Sequence, residues 1–163
     1  MNEALSKRLK QSNFASASHE ALLSVLLAAS HLNERFDVLC EQHGITRTQY
    51  NVLRILRGVH PKGHPRGEIS SRMMDRAPDV TRLVDRLQAR GLVKRRRNDA
   101  DQRQAMTIIT PKGLRLLETM QPAMDEVTTR CFAKLSDKDC EELVRMCALI
   151  FACEDAPSPD AEA

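Results

Sequence analysis

Pro78-Asp79-Val80-Thr81-Arg82-Leu83-Val84-Asp85-Arg86-Leu87 is followed by Asp101-Gln102-Arg103, and then by Ile109-Thr110 and Gly113. The first stretch reads as an amphipathic helix. Val80, Leu83, Val84 and Leu87 recur at helical spacing and face inward, while Thr81, Arg82, Asp85 and Arg86 share the other face. The second reads as a charged hairpin tip running into a β-branched strand. A basic helix beside a basic hairpin has the means to grip duplex DNA. The helix enters the major groove, and the hairpin reaches the backbone or minor groove next to it.

The charge distribution makes the same point without a motif. The whole chain carries a net charge of only +3. Residues 44–112 hold 16 Lys and Arg against 6 Asp and Glu, a net of +10, which leaves −7 for the rest. A central basic block flanked by acidic arms is the electrostatic footprint of a nucleic-acid reader. The competing reading, a solvated basic face with no partner, is weaker because the basic residues fall on one coherent helix and hairpin.

Composition sets the outer bounds. A length of 163 residues allows one domain, or a domain with long helical arms. Aromatics are scarce and Trp is absent, so the core must come from Leu, Val, Ile, Met and Ala. No segment approaches the apolar length of a membrane span, and the N-terminus lacks a signal pattern. Five cysteines without regular spacing do not form a disulfide framework, and a reducing cytoplasm is the expected setting. The tail, residues 154–163, is acidic with two prolines and reads as disordered.

Along the chain, residues 1–17 read as a flexible N-terminus. Leu22, Leu26, Ala29, Leu32, Phe36 and Leu39 place a long helix over residues 18–43, with Gly44 beyond its end. Thr46 caps a second helix, with Gln49 as its capping-box partner, and that helix ends at Gly58. Residues 58–67, rich in Gly and Pro, read as a loop. A short helix follows with Ile69 and Met73 inward; Arg76-Ala77 turns, and Pro78 takes the first position of the next helix. That helix runs to Arg90 and stops at Gly91. Residues 92–97 form a strand, residues 98–102 a turn and residues 103–109 the returning strand. Thr110-Pro111 opens a long helix that Pro122 should bend or restart, and Ser136 caps the last one. The expected fold is mostly α with a small β-hairpin wing, a winged helix-turn-helix of about six helices. Its reading domain is residues 45–112. Residues 18–44 and 113–153 carry broad apolar stripes that the compact core leaves uncovered, so they are read as dimerisation helices of a homodimer.

This order of elements resembles the MarR-type transcriptional regulators, the multiple-antibiotic-resistance regulator family. Gln49-Tyr50-x-Val52-Leu53 is similar to the start of the family's second helix. Val80 to Leu87, continuing through Ala89-Arg90-Gly91-Leu92-Val93, is similar to its recognition helix and exit. Asp101-x-Arg103 with Thr110 and Gly113 matches its wing signature. The resemblance spans roughly residues 18–153 and is specific over 79–113. It implies a dimer on a near-palindromic operator of double-stranded DNA, released by a small-molecule effector or by thiol oxidation. The chain departs from the family at Arg76-Ala77-Pro78-Asp79, where small hydroxylated residues are common, so the operator sequence does not carry over. The hydroperoxide-sensing branch keeps a reactive cysteine near the start of the first long helix, where this chain has Leu22 and Leu23.

Arg103 on a hairpin tip suits a narrow minor groove, and Asp101, two positions away, can pre-orient it; otherwise the two make a surface ion pair. Arg82 suits a base edge or phosphate. Arg86 suits a phosphate, or braces helix to wing through Asp101. Thr81 and Arg76 lie at the helix entry. Asp79 either accepts from a cytosine amino group or holds a neighbouring arginine. Thr46, Gln49, Arg66 and Arg72 are candidate backbone contacts. Of Arg95, Arg96 and Arg97, strand alternation turns Arg96 away, and Arg97 joins the DNA-facing set. His31 and Arg35, one turn apart, are candidates with Tyr50 for binding an anionic or aromatic ligand; otherwise they are ordinary surface groups. Cys40, close to His43, is the candidate redox thiol, against a buried apolar role. Cys40-x-x-His43 and His60-x3-His64 each offer two metal ligands where a structural zinc needs four, so no metal is assigned, nor any cofactor. No Gly-rich phosphate loop, nucleophile elbow or paired acid–base motif points to an enzyme. A regulator of transcription, most simply a repressor, is the leading function. The alternatives are a thiol-sensing repressor and a winged helix that binds protein instead of DNA.

Overall fold

The structure, a computed structural model, describes residues 3–11, 13–74, 79–97 and 105–152. Its elements are α1 (Glu3–Leu9), α2 (Ala17–Gln42), α3 (Arg47–Arg57), β1 (His64–Pro65), α4 (Arg66–Ser71), α5 (Val80–Ala89), β2 (Val93–Arg97), β3 (Ala105–Ile109), α6 (Pro111–Phe132) and α7 (Asp137–Phe151). The chain divides into two compact units, residues 1–125 and residues 126–163. No described helix is long and apolar enough to cross a membrane.

In the first unit, local chemistry sets the element ends. Ser16 accepts from His19 N at 3.1 Å and caps α2. Thr46 and Gln49 form the expected reciprocal capping box at α3. Both α2 and α5 end in the same way. Gly44 (φ +69) and Gly91 (φ +68) take the left-handed conformation just past the helix. Gly44 N donates to Glu41 O and Ile45 N to Cys40 O; Gly91 N donates to Gln88 O and Leu92 N to Leu87 O. These paired bonds are the Schellman arrangement, which glycine adopts without a Cβ penalty.

The core of this unit sits among α3, α4, α5, the sheet and α6. Val52, Leu53, Leu56, Ile69, Leu87, Ile109, Leu117 and Met120 are almost wholly buried. Burying each such aliphatic side chain is worth about 1.5–3 kcal/mol. The sheet is antiparallel in the order β1-β3-β2. Val93 pairs with Ile109, Arg95 with Thr107 and Arg97 with Ala105, so β2 and β3 form the described base of the wing. Gly113 packs against this base. A Cβ there would run into Leu92 O and lie 2.7 Å from Ile109 Cγ1.

The second unit holds the end of α6 and all of α7. Ser136 accepts from Asp139 N, and Asp139 accepts in return from Ser136 N at 2.9 Å, the capping box read from sequence.

Three sequence expectations are corrected. Residues 3–9 form helix α1 with Leu5 buried, where a flexible segment was expected, so the described helices number seven. The loop at 58–67 contains β1, a two-residue edge strand paired His64 to Thr107 and Pro65 to Met106. Two residues are too few to show a hydrophobic period, and proline belongs at a sheet edge. Helix α5 begins at Val80 with Asp79 as its N-cap, so Val80 holds the first helical position expected of Pro78, which itself lies outside the described residues. An N-cap carboxylate satisfies two free backbone N–H groups there, which the proline reading overlooked. Of the two outcomes read for Pro122, a bend or a restart, the restart does not occur: α6 continues as one helix through it.

Candidate nucleic-acid interface

The interface is built on α5. Asp79 Oδ1 accepts from Thr81 N at 3.1 Å and from Arg82 N at 3.2 Å. Its other oxygen lies 3.2 Å from Arg82 Nε. Of the two roles read for Asp79, the structure shows the one that holds an arginine. The carboxylate caps the helix, where its charge complements the helix dipole, and orients Arg82 at the exposed surface. Arg86, one turn on, is also exposed and has no ion-pair partner among the described residues. Arg97, at the far end of β2, is exposed too.

Two bridges hold α5 in place. Arg66, at the start of α4, donates from Nη1 to Thr81 Oγ1 at 3.0 Å. Arg95 of β2 donates from Nη2 to Asp85 Oδ1 at 2.7 Å. Thr81 is therefore half-buried and engaged. Between these bridges lies a groove of about 650 Å³ walled by Arg66, Glu68, Thr81, Val84, Arg95 and Thr107. Sequence reasoning missed the Asp85–Arg95 bridge. The available signal was an acidic residue on the outward face of an otherwise basic helix.

The wing is closed at its base by Thr110, whose Oγ1 donates to Gly91 O at 2.7 Å and accepts from Gly113 N at 3.2 Å. Thr110 ties the strand end to the exit of α5, and Gly113 lets α6 approach it.

Other candidates fare differently. Gln49 is buried and its side chain is used in the capping box, so it is not placed to meet a phosphate. Thr46 is exposed at the same helix start. Arg72, the C-cap of α4, is paired with Glu68 of that helix at 3.2 Å. Asp101, Arg103 and Arg76 lie outside the described residues. His31 and Arg35 are exposed on α2 and Tyr50 is half-buried on α3; none of them lines the groove against α5. Cys40 is fully buried, and its thiol is pushed up to about 11 by that burial and then by Asp37. A sensor thiol needs exposure and a lowered pKa, so Cys40 does not fit the redox role. Among the described residues, no three His, Cys, Asp or Glu gather as a metal site.

A helix-turn-helix with a strand wing beside an arginine-bearing helix is the architecture of DNA-binding regulators. The MarR family pattern matches residues 43–104. The uncharacterized HTH-type transcriptional regulator YwoH of Bacillus subtilis (strain 168) is 30% identical over 123 residues, covering 76% of this chain and 85% of that protein. A MarR transcription factor from Planctomyces limnophilus is 34% identical with a TM-score of 0.65, over 84% of this chain and 99% of its own. Sco3205, a MarR family transcriptional regulator from Streptomyces coelicolor solved in complex with DNA, shares the fold with a TM-score of 0.75 at 19% identity, over 86% of this chain and 90% of its own. The chain belongs to the MarR family of winged helix-turn-helix transcriptional regulators. These relatives are transcription regulators, not enzymes.

Proposed function

We propose that this chain is a homodimeric cytoplasmic repressor that reads a near-palindromic operator and is released by a small organic anion. The observation that carries the reading is the outer face of α5. Arg82 and Arg86 stand exposed one turn apart on a helix held by its Asp79 cap and by bridges to α4 and β2. In this reading Arg82 takes a base edge or phosphate and Arg86 a phosphate. Arg97 and the wing-tip pair Asp101 and Arg103 follow the backbone or the adjacent minor groove. Residues 45–112 form the reading domain.

Residues 18–44 and 113–153 supply the dimer contacts. Leu22, Val25 and Leu26 of α2 are exposed, as are Val144, Met146, Leu149 and Ile150 of α7. An apolar face of this kind marks an interaction surface, and twofold pairing gives a palindromic site its match in symmetry. For the effector, the groove beside α5 has two arginines on its walls and a volume suited to a small organic acid. Occupying it would press on the bridges that hold α5.

The test is binding of the full-length protein to a duplex enriched from a random pool, followed over salt concentration. If each subunit neutralises about four phosphates, log K against log salt falls with a slope of roughly −7. Arg82→Ala and Arg86→Ala each cost about 1–3 kcal/mol, and the Arg86 variant lowers the slope. A slope near zero, or no enriched duplex, refutes the reading.

A further inference from the structure

We infer that Arg90 is a positioning residue for DNA recognition, anchoring the exit of the recognition helix to the C-terminal end of α2. The inference rests on the DNA-reading role of α5. In a basic block every arginine is first a phosphate candidate, but the donors of Arg90 point elsewhere. Its Nη1 donates to Gly44 O and its Nη2 to His43 O at 3.4 Å. These are the carbonyls of the C-cap of α2 and of the left-handed glycine just past it, at the helix end that carries partial negative charge. A planar guanidinium presents two parallel N–H groups and so can serve two successive carbonyls at once. Gly44 leaves room for the contact, since a Cβ there would lie 3.3 Å from Arg90 Nη2.

The same exit is held from the other side. Lys112 Nζ, in the first turn of α6, donates to Arg90 O at 2.9 Å. Thr110 Oγ1 donates to Gly91 O at 2.7 Å and reaches Leu92 O at 3.1 Å. Arg90, Gly91 and Leu92 are thus tied forward to α6 and backward to α2. The start of α5 is held by Thr81 and its middle by Asp85. Arg90 alone among these groups reaches α2, a helix of 26 residues whose buried positions, Leu39 and Cys40, lie at this same end. The long exposed remainder of α2 therefore acts on the tilt of α5 through the Arg90 fork.

A positioning contact and a phosphate contact leave different marks. The experiment compares full-length wild type, Arg90→Ala and Arg90→Lys on a duplex enriched by the wild type and on a shuffled duplex of equal length. Sedimentation and thermal melting accompany each. Arg90→Ala should lose about tenfold on the enriched duplex, the range expected for coupling through a network. Its affinity for the shuffled duplex and its salt slope should match the wild type. Arg90→Lys, which keeps the charge but not the fork, should recover only part of the loss. A weakening on both duplexes with a slope reduced by about 1 per subunit would make Arg90 a phosphate contact and overturn the inference. So would unchanged affinity. If Arg90→Ala fails to fold, Arg90→Lys decides by the same comparison. No enriched duplex for the wild type would sink the regulator reading itself, which separates the two failures.

Discussion

Asp85 on α5 and Arg95 on the first wing strand, β2, meet at 2.7 Å, an ion pair that ties the helix to the base of the wing. Both side chains are partly exposed, which limits the stability the pair confers to about 0.2–1 kcal/mol. Its larger consequence is geometric, because it sets helix against wing. Asp85→Asn and Arg95→Gln, with the double variant, should show a coupling energy of that size in urea unfolding. Operator affinity should fall in each single variant by more than the stability does. Additive effects within error would show that the pair does not couple the two elements.

Gly113 is required where it stands. A Cβ at this position would collide with Leu92 O and crowd Ile109 Cγ1. The collision involves backbone, which cannot swing aside as a flexible side chain would. Gly113→Ala should destabilise the fold by about 1–3 kcal/mol, the usual cost of overpacking. Gly67→Ala, which meets nothing within 4 Å, is the matched control and should be near neutral. Equal urea midpoints for the two variants would contradict the packing described here.

The Cys40 thiol makes stability fall in alkali. Its pKa is raised from 9.0 to about 11 in the fold, first by burial and then by Asp37. An acid with a raised folded pKa keeps its proton longer in the native state than in the unfolded one. Its contribution is complete below about pH 9 and is lost as pH rises towards 11. Cys40→Ala should therefore flatten the decline in stability between those values. In native protein at neutral pH, Cys40 should react with a thiol reagent only through opening of the fold. Rapid labelling at neutral pH would show that the thiol is neither buried nor protonated as described.

Dimerisation should fail when either apolar face is charged. Leu26 of α2 and Ile150 of α7 are each more than half exposed in the single chain. In the proposed dimer, Leu26→Glu and Ile150→Glu would each place a carboxylate at the subunit contact, at a cost of several kcal/mol per dimer. Sedimentation should then show monomers, with weak operator binding but an unchanged helix signal by circular dichroism. Dimers of undiminished affinity would place the subunit contact elsewhere.

Much of the architecture was legible because it depends on short-range rules. Helical spacing located α2, α3, α5, α6 and α7, and the caps at Thr46 and Ser136 were readable as residue pairs three positions apart. Gly44 and Gly91 announced two helix ends for the same reason: each directly follows a helical run, where the left-handed cap conformation favours glycine. Helix α1 was not legible. Its seven residues carry too little pattern, and what buries Leu5 is tertiary packing. Gln49 was read as a phosphate contact from its place at a helix start; the cap draws its side chain into the fold instead.

The chain's local chemistry decided that there is a recognition helix, which of its faces is basic and where it begins and ends. Those properties depend on residues within one or two turns of each other. Only the tertiary structure decided which arginines are available. Arg82 is oriented by Asp79 within its own turn, but Arg86, Arg90 and Arg95 are chemically identical in sequence, and the fold leaves one exposed, sets one at the end of α2 and makes one brace the wing. A guanidinium's role is set by the acceptor that lies within hydrogen-bond reach, and for Arg90 that acceptor is 46 residues away along the chain.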